Sequence, residues 1–331
     1  MNINLVIDIT LLGLLVATAI GVARTGDLFA AVMLTGIYGL LSASFFVSMD
    51  AVDVAFTEAA VGAGIAPLLM FVTLAMTGRY QQNSTAFSLP SMAAVVAVGI
   101  LLVFASFDMP AFGSPDAPAQ LHVAPRYLQQ SWDEIGIPNV VTSVLASYRG
   151  FDTLGEVVVI FTAGLAVLGI LFNAPKPDDP NIKATMRQHK VLRIVGKILI
   201  PPILIFALYV QFHGDFGPGG GFQAGVIFAA ALILYCMLFG VRIAKQVINL
   251  AVVRVLAALG VLIYGSTGLV SLLGGGNYLD YSALADNPVT GQHIGIMVIE
   301  FGVGTTVASV MLLLYFTFAE RSLLEGDDSW N

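Results

Sequence analysis

The sequence predicts an all-α polytopic integral membrane protein, a helical bundle of about nine transmembrane helices with its N-terminus outside and its C-terminus inside. Three observations carry that expectation. Of 331 residues, 57% are hydrophobic and only 11% are charged, with a mean hydropathy of +0.88, far too apolar for a soluble domain of this length. Windows of roughly 20 apolar residues, enough to cross a hydrocarbon core of about 30 Å, recur along the chain. The basic residues, finally, divide unevenly between alternate loops.

In order, the spans are read at 4–23, 28–48, 54–76, 89–107, 153–173, 191–211, 219–239, 250–273 and 293–318. No Lys or Arg precedes the first; Ala17-Thr18-Ala19 resembles a signal-cleavage site, but the missing basic leader predicts a retained helix. The first four spans form a front module, 1–107. Residues 108–173 hold an outer loop, "MPAFGSPDAPAQLHVAPRY", that Pro and Gly keep from being one helix. It leads into "NVVTSVLASYRGFDTLGE", whose polar interruptions predict an interfacial amphipathic segment, and then the fifth span. A Pro-rich cytoplasmic linker, 174–190, joins this part to a rear module of about four spans, 191–331. No internal repeat is visible, so a carrier complete in itself is not expected.

Basic residues mark the cytoplasmic side. With the N-terminus outside, inner loops and flanks hold Arg24, Arg79, Lys176, Lys183, Arg187, Lys190, Arg193, Lys197, Arg242, Lys245, Arg254 and Arg321. The outer side keeps Arg126 and Arg149, among many acids. Adding or dropping one span would move several basic loops to the wrong face. An acidic outer face locally enriches cations, although acids are also what remains once basic residues go inside.

An ionisable side chain at the centre of a span costs about 2.5–3.5 kcal/mol on insertion scales, and usually faces protein or water. Glu58, Glu156 and Glu300 meet that description. Each follows the start of its predicted helix by roughly four to eight residues, on the order of 6–12 Å at 1.5 Å per residue. Ala55, Ala59, Gly62 and Ala66 recur around Glu58 and let a neighbouring helix approach. The three glutamates are candidates for an ion or proton pathway, with a transient monovalent cation expected at Glu58 or Glu300; the alternative is that they only lock helices together. His293 stands seven residues before Glu300, on the same helical face, and suits a proton relay. Lys197, two turns into the sixth span, and Asp53, at the outer end of the third, complete the set.

Other chemistries find little support. Cys236 is a lone cysteine, whereas an iron–sulfur centre normally takes four. His122, His189, His213 and His293 lack the paired spacing of a zinc site. Gly217, Gly219, Gly220 and Gly221 are not followed by Gly-Lys-Ser/Thr, so a nucleotide site is not expected. No cofactor, no resident metal, no nucleic-acid partner and no enzymatic activity is predicted.

The glycine-rich stretch "HGDFGPGGGFQAGV", 213–226, fits another use. Pro218 suits the first turn of a helix, and the glycines permit irregular backbone at membrane depth, tolerated where it abuts protein or a water-filled cavity. "PGGGFQAGV" preceded by "HG" resembles the "HGH-PGGGFQGG" signature of the MrpB (MnhB) component of Mrp-type multisubunit cation/proton antiporters, and "HIGIMVIEFGVG" resembles that family's final helix. "VDVAFTEAAVGAG" and "YRGFDTLGE" are similar to the C-terminal part of the large MrpA component, which forms separate small subunits in membrane-bound hydrogenases. Two departures stand out: Asp215 replaces the usual second histidine, and Gly217 replaces a small hydroxyl residue.

The resemblance covers most of 5–320 and implies a fusion of the tail of the MrpA component with the MrpB component. It assigns motif positions to Glu58, Asp152, Glu156, Glu300 and His213, and to the run Pro218, Gly219, Gly220, Gly221, Phe222 and Gln223. It further implies a membrane subunit of a monovalent cation/proton antiporter, with Na+ the expected cation, in the cytoplasmic membrane of a prokaryote. This chain would supply a connecting module and a share of the cation path, while the long proton-translocating subunits would be other chains. The alternatives are a subunit of a redox-driven, hydrogenase-like ion pump, or a structural scaffold.

Overall fold

The computed structural model describes residues 3–82, 89–111, 113–171 and 189–321. Among them, nine helices are long and apolar enough to cross a membrane: Ile3–Arg24, Leu28–Ser48, Val52–Thr77, Leu89–Ser106, Gly150–Ile170, Lys190–His213, Gly221–Phe239, Leu250–Leu273 and Pro288–Ala319. Most of the linker 174–190, with Lys176, Lys183 and Arg187, lies outside the described residues. No strand occurs among them beyond an isolated bridge between Asp27 and Tyr80.

The differences from expectation lie at helix ends and have local causes. The ninth helix starts five residues early because the Asn287 side chain accepts from the amides of Val289 and Thr290, with Pro288 as its first residue. The third contains a π-helical stretch, Ala59–Ile65, just before Pro67. Pro67 has no N–H to return to the carbonyl of Ala63, and a widened turn absorbs that defect. Two expectations need correction. The helix after the glycine loop begins at Gly221, so Pro218 lies ahead of it rather than in its first turn. The cap falls at Gly220 because its φ of +119° and ψ of −177° suit glycine alone. The amphipathic surface helix is Ala124–Ile135, ended by left-handed Gly136 (φ +79°). The segment expected in that role instead forms a short turn and a π-helical stretch, Ser143–Tyr148, burying Thr142, Ser143 and Ala146.

The ninth span is the axis of the molecule. Glycines let its neighbours touch it backbone to backbone: Gly221 and Gly225 of the seventh span meet Glu300 and Gly304, and Gly260 of the eighth meets Gly302 and Thr306. The fifth packs Gly164 on Val310. The first, second and third spans pack in sequence, and the third also touches the seventh and ninth. Gly39 and Gly62 set the tightest approach there, since a Cβ on Gly39 would stand 2.6 Å from the Gly62 carbonyl carbon.

One end of the bundle joins the start of the second span to the end of the third. Asp27 caps the former and pairs with Arg79 at 2.9 Å, while the Leu28 amide donates to the Arg79 carbonyl. Lys245, in the short helix Val241–Val247 that follows the seventh span, pairs with Glu320 just past the ninth at 2.6 Å. Buried Arg321 donates to the carbonyls of Thr317 (2.8 Å) and Leu171, tying the ends of the ninth and fifth spans.

Candidate functional site

The site sits at the opposite end, where the third, seventh and ninth spans begin and the sixth stops. Residues 214–220 leave the sixth span as irregular backbone whose polar groups are satisfied by the sixth span and by two other segments. The Asn139 side chain donates to the carbonyls of Gly217 (3.0 Å) and Gly214 (3.2 Å), and the Thr142 hydroxyl also donates to Gly214 (2.6 Å). The Asn139 amide donates to the Asp215 carbonyl at 3.1 Å. Asp53 accepts from the Gly219 amide at 3.3 Å and from the Asn139 side chain at 3.4 Å. Within the loop, the Gly220 amide donates to Val210, and the His213 carbonyl accepts from Phe216 and Gly217. The His213 ring stacks on Tyr209 and lies over Gly217. Below the loop, Gln223 donates to the Thr57 hydroxyl at 2.8 Å, one turn beyond Asp53 on the third span.

Two residues of the ninth span face this loop. His293 places Nε2 3.1 Å from the carbonyl oxygen of Gly136 and Nδ1 3.8 Å from an Asp215 carboxylate oxygen. Glu300, half-buried, points its carboxyl at Gly220. Glu300 and Asp215 both line a cavity of about 420 Å³ with Gln211, Ile263, Met297 and Phe301. Asp53 lies within electrostatic reach of Glu300. Burial lifts the Asp215 carboxyl above the ordinary aspartate range, and His293 opposes that rise. A larger groove of about 550 Å³ between the second and third spans carries no ionisable side chain. Asp53, His213, Asp215, the run Pro218 to Gln223, His293 and Glu300 thus converge. Among the described residues no group of three His, Cys, Asp or Glu side chains has metal-binding geometry.

The remaining candidates stand elsewhere. Glu58 is half-buried, its carboxyl resting over Gly62, where any side chain would collide with it. Glu156 is exposed on the flank of the fifth span, near an Arg149–Asp152 pair. Lys197 is exposed on the sixth span, about 21 Å along the helix from Gln211. Because the ninth helix starts at Pro288, Glu300 is twelve residues inside it, about 18 Å, deeper than the range expected.

Four residues of the neighbourhood escaped the sequence analysis. Thr57 had a signal, standing four residues after Asp53 and so on the same face. Asn139 reads as a helix cap ahead of Val140, but nothing local announces partners some 75 residues away. Thr142 and Gly136 carried no signal beyond turn chemistry. Asp8 of the first span, which accepts from the Ser48 hydroxyl, meets the same rule that selected the glutamates.

Comparison with known proteins gives a consistent pattern. A family model described as "Domain related to MnhB subunit of Na+/H+ antiporter" matches residues 191–313. The models for MbhD and MbhE, two components of MBH, match 13–79 and 89–189. A probable K(+)/H(+) antiporter A/B protein of Rhizobium meliloti (strain 1021) is 24% identical, over 93% of this chain and 34% of the relative. A putative antiporter subunit mnhB2 of Staphylococcus aureus (strain Newman) is 31% identical, over 39% of this chain and 93% of its own length. Among solved structures, a chain of the Mrp complex from Dietzia sp. DQ12-45-1b superposes with a TM-score of 0.75 at 26% identity, over 94% of this chain and 34% of that one. A chain of the archaeal membrane-bound sulfane sulfur reductase gives 0.55 at 26% identity, over 70% of this chain and 97% of that one. The chain spans about a third of the length of the Rhizobium relative and of the Dietzia chain.

Proposed function

We propose, since this chain belongs to the family of MnhB-related subunits of Na+/H+ antiporters, that it serves as a membrane subunit of a multisubunit monovalent cation/proton antiporter in the cytoplasmic membrane of a prokaryote. Its MbhD- and MbhE-like segments precede the MnhB-like one on the same polypeptide, which the A/B relative matches over nearly all of its length. The antiporter reading is preferred to a redox-driven pump because the likeness to the Mrp complex extends further along this chain, at a higher TM-score. Other antiporter subunits are its partners, and Na+ or another monovalent cation and H+ are the ions exchanged.

The observation that carries a transport role is the meeting of Asp53, Asp215, Glu300 and His293 around a loop whose backbone is tied to two other segments, 139–142 and the third span. A set of carboxyls at membrane depth is neutralised by a proton or a small cation, and that exchange is the chemistry of an antiporter. Glu300, inside the cavity, is the ion-handling group in this reading; Asp53 and Asn139 shape the loop above it. The loop faces outward, because the opposite end of the bundle carries Arg24, Arg79, Lys245 and Arg321.

The test is cation-driven proton movement in everted vesicles carrying the whole complex, with a tagged chain to follow assembly. Glu300→Gln is expected to lower exchange tenfold or more, a loss of about 1.4 kcal/mol or greater, while the same partners are recovered. Unchanged exchange in the assembled variant would remove Glu300 from the ion path. Recovery of the native chain with iron–sulfur proteins instead of long antiporter subunits would overturn the assignment.

A further inference from the structure

We infer that His293 and Asp215 form a proton-operated clasp that positions the glycine loop over Glu300, closed when one proton is shared between imidazole and carboxyl and open when it leaves. This inference rests on the antiporter reading and concerns the control of that same site.

The Gly136 carbonyl fixes the tautomer of His293. A carbonyl only accepts, so the His293 Nε2 that stands 3.1 Å from it carries a hydrogen. Gly136 is not free to yield: it ends the surface helix in a left-handed conformation, φ +79°, with its own amide bonded to Ser131. A neutral ring held this way presents Nδ1 as a bare lone pair, 3.8 Å from an Asp215 carboxylate oxygen. Two acceptors then face each other, an arrangement without attraction. A proton on Nδ1 makes the same geometry an ion pair, and an approach of about 1 Å then closes it into a charge-assisted hydrogen bond. The proton comes from the solvent on the loop's face and returns there; only an N–H or O–H bond forms or breaks.

The mechanical consequence follows from the loop's other ties. Asp215 is joined through its carbonyl to Asn139, and Gly214 and Gly217 hang on Asn139 and Thr142, so one flank of the loop is anchored independently of pH. The Asp215 side chain is the tie to the ninth span. When it lets go, residues 214–220 keep their ties to Asn139, Thr142 and Asp53 but lose the one to the ninth span, and the cover that Gly220 places over the Glu300 carboxyl loosens. Acid on that face closes the site and alkali opens it. The ionisable groups around the clasp are Asp53 from the third span, His213 from the sixth, Glu300 from the ninth, and Glu134 from the surface helix, itself engaged by Arg126 and Tyr148. Burial favours the protonated form of the Asp215 carboxyl, in keeping with a shared proton.

The experiment is hydrogen exchange of the loop amides in the purified complex from pH 6 to 9, corrected for intrinsic rates, in the native protein, His293→Gln and Asp215→Asn. Glutamine still offers an N–H to Gly136 but takes up no further proton. In the native protein, protection of 214–221 is expected to fall with pH by up to about tenfold per unit, the limit for one linked proton. In both variants it is expected to be flat. Native protection that does not titrate, or a His293→Gln variant that titrates like the native protein, overturns the clasp. If His293→Gln fails to assemble, Asp215→Asn decides the same question. Cation exchange that survives in Glu300→Gln would instead sink the ion-path reading and leave the loop titration standing, so the two failures are separable.

Discussion

Glu300 and Glu156 lie in helices of nearly equal hydropathy, 2.0 and 2.1, yet one is enclosed by its own chain and the other is exposed on its flank. Glycines account for the difference. Around Glu300 the seventh and eighth spans approach the ninth closely enough for backbones to touch, and the loop above adds a roof. Around Glu156 the fifth span shows bare helix, with Phe151 71% and Val159 67% exposed. A carboxyl on such a face is expensive against lipid. No described residue covers it, and on the antiporter reading we expect another chain of the complex to do so, whereas Glu300 is half-buried within this chain. The same apolar-helix-with-an-acid pattern thus occurs in two settings, one packed within this chain and one exposed among the described residues.

That contrast can be broken most forcefully at a glycine. Gly221→Ala would drive a methyl into the backbone of Glu300 and Gly304, and is expected to cost about 3 kcal/mol or more and remove folded protein. Gly99→Ala, in the fourth span where nothing stands within 4 Å, should stay within about 0.5 kcal/mol. Thermal unfolding of the two tagged variants reads both, and equal melting would refute the packing argument. A photo-crosslinking residue at 156 should capture a different chain of the complex, and one at 300 this chain alone; intersubunit adducts from both positions would erase the distinction.

Asn139→Ala leaves the Gly217 carbonyl without its donor and the Gly214 carbonyl with Thr142 alone, and is expected to destabilise by about 1–3 kcal/mol, with several-fold faster amide exchange confined to 214–221. The smallest effect belongs to the opposite end. Arg79, through hydrogen bonds and charge, holds the Asp27 carboxyl below the ordinary aspartate range. The stability this pair contributes is therefore present above about pH 4 and lost as pH falls through the lowered value. Both partners are partly exposed, so the native protein and Asp27→Asn should differ only slightly in melting at neutral pH and converge in acid.

The spans were legible to within a few residues because hydrocarbon thickness dictates a run of apolar residues whatever the tertiary structure. That His293 and Glu300 share one face of their helix was legible from helical periodicity, and so was the irregular backbone of the glycine run. Asn139 was not, since its role depends on a contact between distant segments that no local pattern encodes. The orientation of Glu156 was hidden for a related reason: on a helix apolar all round, the sequence does not mark which face a neighbour covers. The π-helical stretch after Glu58 had a visible cause in Pro67, but a proline in a span equally predicts a kink.

The ninth helix runs 32 residues from Pro288 to Ala319, about 48 Å, against a hydrocarbon core of about 30 Å. Near one tip it carries His293, beside Asp215 of the glycine loop; just past the other, Glu320 pairs with Lys245 of the short helix after the seventh span, and Arg321 holds the end of the fifth. An unbroken α-helix transmits axial displacement nearly undiminished. A shift of this rod at the acidic face would therefore be felt by the ion pair and the buried guanidinium at the basic face, which links the two ends of the bundle through one helix.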